Sequence, residues 1–415
     1  MSDLTLAEQI FTDINECTLP GEGITRPSYS VVESAALAVV DRYAMGFGLE
    51  TFTDGAGNLH CTIPGSFQTP SEVVTGSHLD SVPHGGRYDG TAGVVAGLLV
   101  LKKLCGSTRT KQAARLIVFR GEESAWFGKC YLGSLGLFGL LTEDDMKRRS
   151  VQDGETLGRR IAHRGGFPAC ADNCPPARSL DPKRIARFIE VHIEQGPVLH
   201  EAGEPIGIVN SIRGNYRYRG AQIGGEAGHS GTTPTRLRKD AVLAFADVMR
   251  RLEEGAKVFG EDLVLTCGVA GTDPGRHGPT TIPDLVSFDV EFRSGSELTL
   301  SLFDAFYRAT IDAVGAQRGL PFMNSGVLTR TECALMDPKL HAELALHAHH
   351  VLDSEQVMRL PSGAGHDAAV FARMGVPTGM IFIRNEHGSH NPRESMRMDD
   401  FMRATGVLYR AMGGQ

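Results

Sequence analysis

Four short stretches of this 415-residue chain end in side chains able to hold a cation or move a proton. The first, residues 76–90 (GSHLDSVPHGGRYDG), carries His78, then Asp80, then Asp89 just after Gly85 and Gly86. The second ends in the pair Glu122-Glu123, and the third, EVHIEQG, in His192, Glu194 and Gln195. The fourth is a pair of loops holding His366 and His390. Imidazole and carboxylate together suit zinc, with manganese, cobalt or nickel also accommodated. Hydrolytic two-metal sites hold their cations about 3.5–4 Å apart across a bridging carboxylate. Neighbours on an extended chain point in opposite directions, so one of Glu122 and Glu123 can bind metal while the other acts as general base. Asp80, two residues beyond His78 on the same face, suits a partner that fixes the imidazole's tautomer. Taken singly, each stretch has a plainer reading: a satisfied strand-end histidine with a helix-capping aspartate, or a solvated acidic turn. The acidic-turn reading weakens because Glu122-Glu123 closes a buried strand.

The elements that must position these groups follow from hydrophobic patterning. SEVVTGSHLD, ARLIVFRGEES, IARFIEVHIEQG and GMIFIR read as buried strands with polar residues at their carboxyl ends. GVVAGLLVLKKL is a helix, residues 4–15, 31–48 and 337–351 carry helical spacing, and a further helix closes the chain. GLETFTDGAGNLHCTI reads as strand, turn, strand, and residues 142–187 as a helix followed by a long surface loop. Alternating strands and helices predict a mostly parallel sheet covered on both faces, with chemistry at the carboxyl edge. After Gly214 the pattern becomes strand, helix, strand, strand, helix over roughly a hundred residues, that is, an α+β insertion. The expected fold is therefore α/β: residues 1–212 and 329–415 form a metal-binding catalytic domain, and 213–328 a smaller inserted domain.

Composition narrows the class. The 42 Lys+Arg against 49 Asp+Glu give a formal charge of −7, which argues against nucleic acid or an anionic membrane as partner. No apolar run approaches the roughly 18–20 residues that span a bilayer. The first residues lack a basic segment followed by an apolar one, so no signal peptide is expected. Eight scattered cysteines suit free thiols in a reducing cytoplasm, and the one close pair, Cys170 and Cys174, reads as a loop with incidental thiols.

In the order GITRPSYS, GSHLDSVPHGGRYDG, GEESAWFG, EVHIEQGPVL, GEAGHSGTTPTRLRKDA, PSGAGHDA, GMIFIR and GSHNPRE, the chain resembles the hydantoinase/carbamoylase branch of the di-zinc aminoacylase and carboxypeptidase superfamily. HIEQGPVL with GHSGTTP marks that branch in particular. The resemblance implies two divalent metal ions. His78, Asp89 and His192 match the ligands of one, and Asp89, Glu123 and His390 those of the other, with Asp89 bridging. Glu122 matches the general base and Asp80 the aspartate supporting His78. Gln195 resembles the residue that helps recognise the carbamoyl or amide end of substrate. His229 resembles the histidine that stabilises the developing oxyanion, and Arg293 the arginine that grips the substrate carboxylate. Gly363, Ala364, Gly365 and His366 resemble a loop lining the site. His366 itself is either a substrate contact or a buried donor to backbone. The family also forms homodimers through the inserted domain, which serves as a lid.

Three departures bear on specificity. TTIPD places Thr280 where the family has asparagine, so a substrate group normally read by an amide is read differently or is absent. GEESAWFG has Ser124 and Trp126 for the common glycine and arginine; the lone tryptophan is either packing or an apolar wall for substrate. The final loop reads HGSH, where many relatives have an apolar residue before the serine, and His387 reads as a surface side chain. The resemblance implies hydrolysis of the C–N bond of an N-carbamoyl L-amino acid. An N-acyl amino acid amidohydrolase and a non-catalytic, metal-bound binding protein are the alternatives.

Overall fold

The computed structural model describes residues 2–65, 71–106, 113–164, 175, 176, 178–354 and 356–414. They fall into two compact units, Met1–Asn210 with Leu335–Gln415, and Ser211–Ala334. Cys170 and Cys174 lie outside the described residues; the six described cysteines are all free.

The first unit opens with helices α1 (Asp3–Asn15) and α2 (Val31–Gly46), whose N-caps Ser2 and Ser30 accept the backbone N–H of Thr5 and Glu33. Then come β1 (Glu50–Thr53), β2 (Leu59–Thr62), β3 (Glu72–His78), α3 (Thr91–Cys105), β4 (Ala114–Phe119), α4 (Leu132–Leu137), α5 (Glu143–Met146), α6 (Leu157–Arg164), β5 (Ile185–Ile193), α7 (Val198–Ala202) and β6 (Ile206–Ile212). The inserted unit supplies β7 (Gly214–Gly224), β8 (Gly228–His229), α8 (Ala241–Phe259), β9 (Val264–Gly271), β10 (Thr281–Ile282), β11 (Leu285–Ser294), α9 (Glu297–Arg318), β12 (Phe322–Asn324) and β13 (Val327–Thr331). The chain then runs through β14 (Ala334–Leu335), α10 (Pro338–Leu352), β15 (Met358–Ser362), α11 (Ala368–Arg373), β16 (Thr378–Ile383), β17 (Asn385–Glu386), β18 (Ser395–Met396) and α12 (Met398–Ala411).

The first unit is a mixed α/β layer structure on a nine-stranded sheet of order β1-β2-β4-β3-β5-β16-β6-β14, with β15 also on β6. Its centre, β4-β3-β5-β16, is parallel, and β2 and β6 flank it antiparallel. Every residue of β3, β4 and β16 is buried. That explains their unbroken apolar runs, since helices cover both faces of a parallel sheet. Helices α1, α2, α3, α10 and α12 share one continuous apolar core against it. β6 and α4 had no counterpart in the sequence reading. α4 is only six residues (LGSLGL) with two glycines, too short and too weak a helix former to show a period.

The inserted unit is a five-stranded antiparallel sheet, β12-β7-β11-β9 with β13 also on β7. It extends to Ala334 rather than 328 because β13 stays paired to β7, with Val327 opposite Arg219 and Thr331 opposite Asn215. Along β11, Val286, Phe288, Val290 and Phe292 are buried, joining α8 and α9 in a second core. The alternate residues, Glu291 and Arg293 among them, stay partly exposed on the other face.

Candidate active site

Because β3, β4, β5 and β16 are parallel, their carboxyl ends share one edge of the sheet. His78 is the last residue of β3, Glu122 and Glu123 follow the end of β4, His192 is next to last in β5, and His390 lies in the loop beyond β16. Asp89 arrives from the β3–α3 loop. The fold-back needs Gly90 at φ +64°, where an added Cβ would sit 2.5 Å from the His78 ring.

Asp89 is buried at the centre of this edge. Its Oδ1 lies 3.3 Å from His192 Nε2 and 3.8 Å from His78 Nε2, and its Oδ2 lies 3.3 Å from His390 Nε2. Glu123 Oε1 is 3.4 Å from that same His390 nitrogen. His78, Asp89 and His192, and likewise Asp89, Glu123 and His390, each bring their ligand atoms within 4.8 Å of one another. The donor chemistry fits a cation. His192 Nδ1 donates to the Ile193 carbonyl at 2.9 Å, and its Nε2 accepts the Gly90 N–H at 3.2 Å. Burial, aided by His78, lowers this imidazole to about 4 against the pull of Asp89, so the ring is neutral. Its unprotonated Nε2 therefore lies 3.3 Å from Asp89 Oδ1, a buried oxygen with no hydrogen-bond partner. Two electron-rich atoms facing each other away from water call for positive charge between them.

The rest of the electrostatics runs the same way. Burial pushes Asp89 up, but His390, His192 and His78 outweigh it and hold the carboxyl well below its usual range. Asp89 and Glu123 together raise His390 to about 10. Glu122 is raised by burial and by Glu123, Asp367 and Asp80, against the opposing pull of His78, whose Nε2 is 3.9 Å from Glu122 Oε2. A third donor group, Glu190, His192 and His366, is satisfied internally. Glu190 accepts the Ser77 hydroxyl at 3.0 Å and the Ala368 N–H at 2.9 Å, and His366 Nε2 lies 2.8 Å from the Ser362 hydroxyl.

The supporting contacts hold residues that sequence reasoning missed or cast differently. His78 Nδ1 is 2.9 Å from the Asp80 carbonyl and 3.5 Å from its carboxylate, so the backbone oxygen makes the closer contact. The Asp80 carboxylate instead accepts the N–H groups of Glu122 and Glu123, each at 3.1 Å, and the Ser28 hydroxyl at 2.6 Å. It thus fixes the turn that aims the two glutamates. The stretch GITRPSYS, which carried no chemistry of its own, braces this turn. Arg26 donates to the carbonyls of Leu79, Ile14 and Cys17, while Glu33 accepts from the Tyr29 N–H and pairs with Arg120. Glu394 Oε1 accepts the N–H groups of Tyr88 and Asp89, and Ser389 Oγ lies 2.5 Å from Glu394 Oε2 and 2.7 Å from Asp89 Oδ2. An added Cβ at Gly86 would overlap the Glu394 carboxylate, which explains that glycine.

Gln195, at φ +66°, donates from Nε2 to Asp89 Oδ2 at 2.9 Å, while its Oε1 is buried with no partner. His366 is buried with its ring 4.5 Å from that of His192, and its partner is the Ser362 hydroxyl rather than backbone. Ser362 also ties down Ala364 through both backbone groups, so Gly363, Ala364 and Gly365 form a short turn ahead of His366. Trp126 is 5% exposed and donates Nε1–H to the Ser81 carbonyl at 2.7 Å, which favours packing over a substrate wall. Ser124 and His387 are exposed.

The remaining expected residues belong to the inserted unit. His229 is exposed, and its Nδ1 accepts the Gly231 N–H at 3.0 Å, leaving the ring proton on Nε2. Thr280 is exposed beside it: Thr281 is registered opposite His229, and the Thr280 carbonyl accepts the Ser230 N–H. Arg293 lies at the far end of β11, its guanidinium 2.7–2.8 Å from Glu291 Oε1.

Residues 74–413 match the model of peptidase family M20/M25/M40. The chain belongs to that family. Enzymes of the family work with two metal ions, and the two donor groups around Asp89 are this member's candidates for holding them. The chain is 33% identical to allantoate amidohydrolase of Bacillus subtilis, covering 94% of this chain and 92% of that one. It is 34% identical to N-carbamoyl-L-amino acid amidohydrolase of Geobacillus stearothermophilus, covering 94% and 93%. A solved hydantoinase/carbamoylase family amidase from Burkholderia multivorans superposes with a TM-score of 0.86 at 27% identity, covering 98% of this chain and 97% of that one. This family member is an amidohydrolase, acting on carbon–nitrogen bonds other than peptide bonds.

Proposed function

We propose that this M20/M25/M40 enzyme hydrolyses the C–N bond of a small N-carbamoyl (ureido) L-amino acid. The observation that carries the reading is Asp89, whose two oxygens face separate donor sets, His78 with His192 and Glu123 with His390. Two divalent cations held there, zinc by donor type with manganese, cobalt or nickel also suited, would supply the charge that acidifies an attacking water and polarises the substrate carbonyl. Glu122 takes the proton of that water and returns it to the leaving nitrogen. Asp80 acts through backbone, holding Glu122 and Glu123 in place. The orphaned Gln195 Oε1 suits the NH2 of a ureido group; an N-acyl substrate places carbon where that NH2 stands.

From the inserted unit, His229 is assigned the developing oxyanion, which its Nε2 proton supports, and Arg293 the substrate carboxylate. Thr280, beside His229, offers a hydroxyl where the family's amide would stand. Between Leu285 and Arg293, β11 rises roughly 27 Å. His229 and Thr280 therefore sit a long way from Arg293 within one chain, too far for one small substrate to touch both. We infer a homodimer in which the partner subunit completes each site. The edge strand β9, with exposed Val264 and Val269, supports an interface through the inserted unit. The free cysteines support a cytoplasmic setting. No helix among the described residues is long and apolar enough to cross a membrane.

The test is to strip the protein with chelator, restore zinc or manganese, and assay N-carbamoyl and N-acyl L-amino acids for ammonia and free amino acid. Activity should return with two equivalents per chain and release ammonia from ureido substrates. Hydrolysis of N-acyl substrates alone, by the two-metal protein, overturns the reading.

A further inference from the structure

Tyr131 occupies a position that the reaction as derived above does not use. It is the N-cap of α4 and adopts φ +64°, a left-handed conformation that a bulky side chain takes only when its surroundings hold it there. What holds it is the base-bearing turn. The N–H groups of Tyr131, Leu132 and Gly133 donate in succession to the carbonyls of Glu122, Gly121 and Arg120 at 3.0, 2.8 and 2.7 Å. The ring is thereby fixed relative to Glu122. Its hydroxyl lies against Gly365, where an added Cβ would overlap Tyr131 Oη, and Gly365 precedes the His366 ring that packs on His192. Among the described residues this hydroxyl has no hydrogen-bond partner, and the side chain is partly exposed rather than sealed in the core.

We propose that the Tyr131 hydroxyl contacts the substrate and determines specificity, hydrogen-bonding its uncharged ureido end; this rests on the ureido-hydrolase reading above. A hydroxyl carried on the base-bearing turn, without a protein partner, exchanges water for a ligand's polar group at no loss of a protein hydrogen bond. Its place on the base-bearing turn selects which end of the ligand that is. Glu122 serves the scissile C–N bond in the reading above and the substrate carboxylate is assigned to Arg293, so a hydroxyl carried on the Glu122 turn falls to the ureido end. A tyrosine phenol is protonated at neutral pH, so it is able to donate as well as accept. If the ring served packing alone, phenylalanine would serve equally.

The experiment is Tyr131→Phe on the metal-loaded protein, read against an N-carbamoyl L-amino acid as substrate and the corresponding free L-amino acid as competitive inhibitor. The expected result is a fall in kcat/KM of about tenfold, mostly in KM, with the inhibition constant of the free amino acid unchanged. Metal content and thermal midpoint should match wild type. Unchanged kcat/KM overturns the proposal. So does an equal weakening of the free amino acid, which would place the hydroxyl on the carboxylate, or a loss of metal or stability that accounts for the fall. Wild-type inactivity on every ureido substrate would be seen before any variant is compared, and overturns this inference together with the function on which it rests.

Discussion

His78 and His192 are 2% and 1% exposed, with their Nδ1 atoms 2.9 Å from backbone carbonyls and their Nε2 atoms turned toward one carboxylate. His229, in the inserted unit, is exposed, and among the described residues its ring has one hydrogen bond, from the N–H two residues on. Arg293 differs in the same sense: it lies on the uncovered face of an antiparallel sheet and shares its guanidinium with Glu291. The strand-end centre is organised before any substrate is present, its side chains pinned by backbone groups of several different segments. The groups of the inserted unit are the more exposed ones, so substrate or a second subunit can set their working geometry. Rigid groups suit chemistry whose geometry cannot vary, while looser ones suit capture and release.

The largest expected effect breaks the chemistry and leaves the rigid centre standing. Glu122→Gln should lower kcat by roughly 10²–10⁴-fold, as loss of a positioned general base does, while both metals stay bound. Near-wild-type turnover with full metal content would remove Glu122 from its role. Next comes His229→Ala, expected to cost about 10²–10³-fold, the loss typical of one oxyanion donor. Its sharper form is a mixed dimer of one Glu122→Gln chain and one His229→Ala chain. If His229 serves the partner's site, one of the two sites is intact and about half the wild-type activity returns. If it serves its own, no site is intact and the mixture stays as impaired as its parents.

The same contrast governs how much could be read in the chain. The central strands were legible because β3, β4, β5 and β16 are apolar runs that stop abruptly at charge, and their side-chain types announced metal chemistry. The use made of the Asp80 carboxylate was not. Alternation suggested that it faces the His78 ring, and it lies 3.5 Å from it, but nothing local announced that its oxygens also take the backbone N–H groups of the next strand's turn. Trp126 had two readings until its indole was seen to donate to Ser81. That nearly the whole of β11 lies between Thr280 and Arg293 is a matter of strand length, which a list of motifs in order does not convey. What pattern reasoning misses here is mostly contact between distant segments, the part of a fold with no local period.

Glu394 is the clearest such case and gives the smallest effect of the three. It stands 305 residues from Asp89, yet one of its oxygens accepts both the Tyr88 and Asp89 N–H groups. Its other oxygen reaches Ser389, next to His390. The side chain therefore ties the loop that brings Asp89 to the loop that brings His390. Glu394→Ala would take this partner from the buried Asp89 N–H and the part-buried Tyr88 N–H and open a gap opposite Gly86. Metal affinity, measured by titration into chelator-stripped protein, should weaken about 10–100-fold, as when a ligand's supporting partner is lost. Glu394→Gln keeps a carbonyl oxygen for the two N–H groups, so it should bind metal close to wild type. If both variants bound metal like wild type, the clamp would be incidental, and the centre would owe its rigidity to the Asp80 turn and the histidine backbone contacts alone.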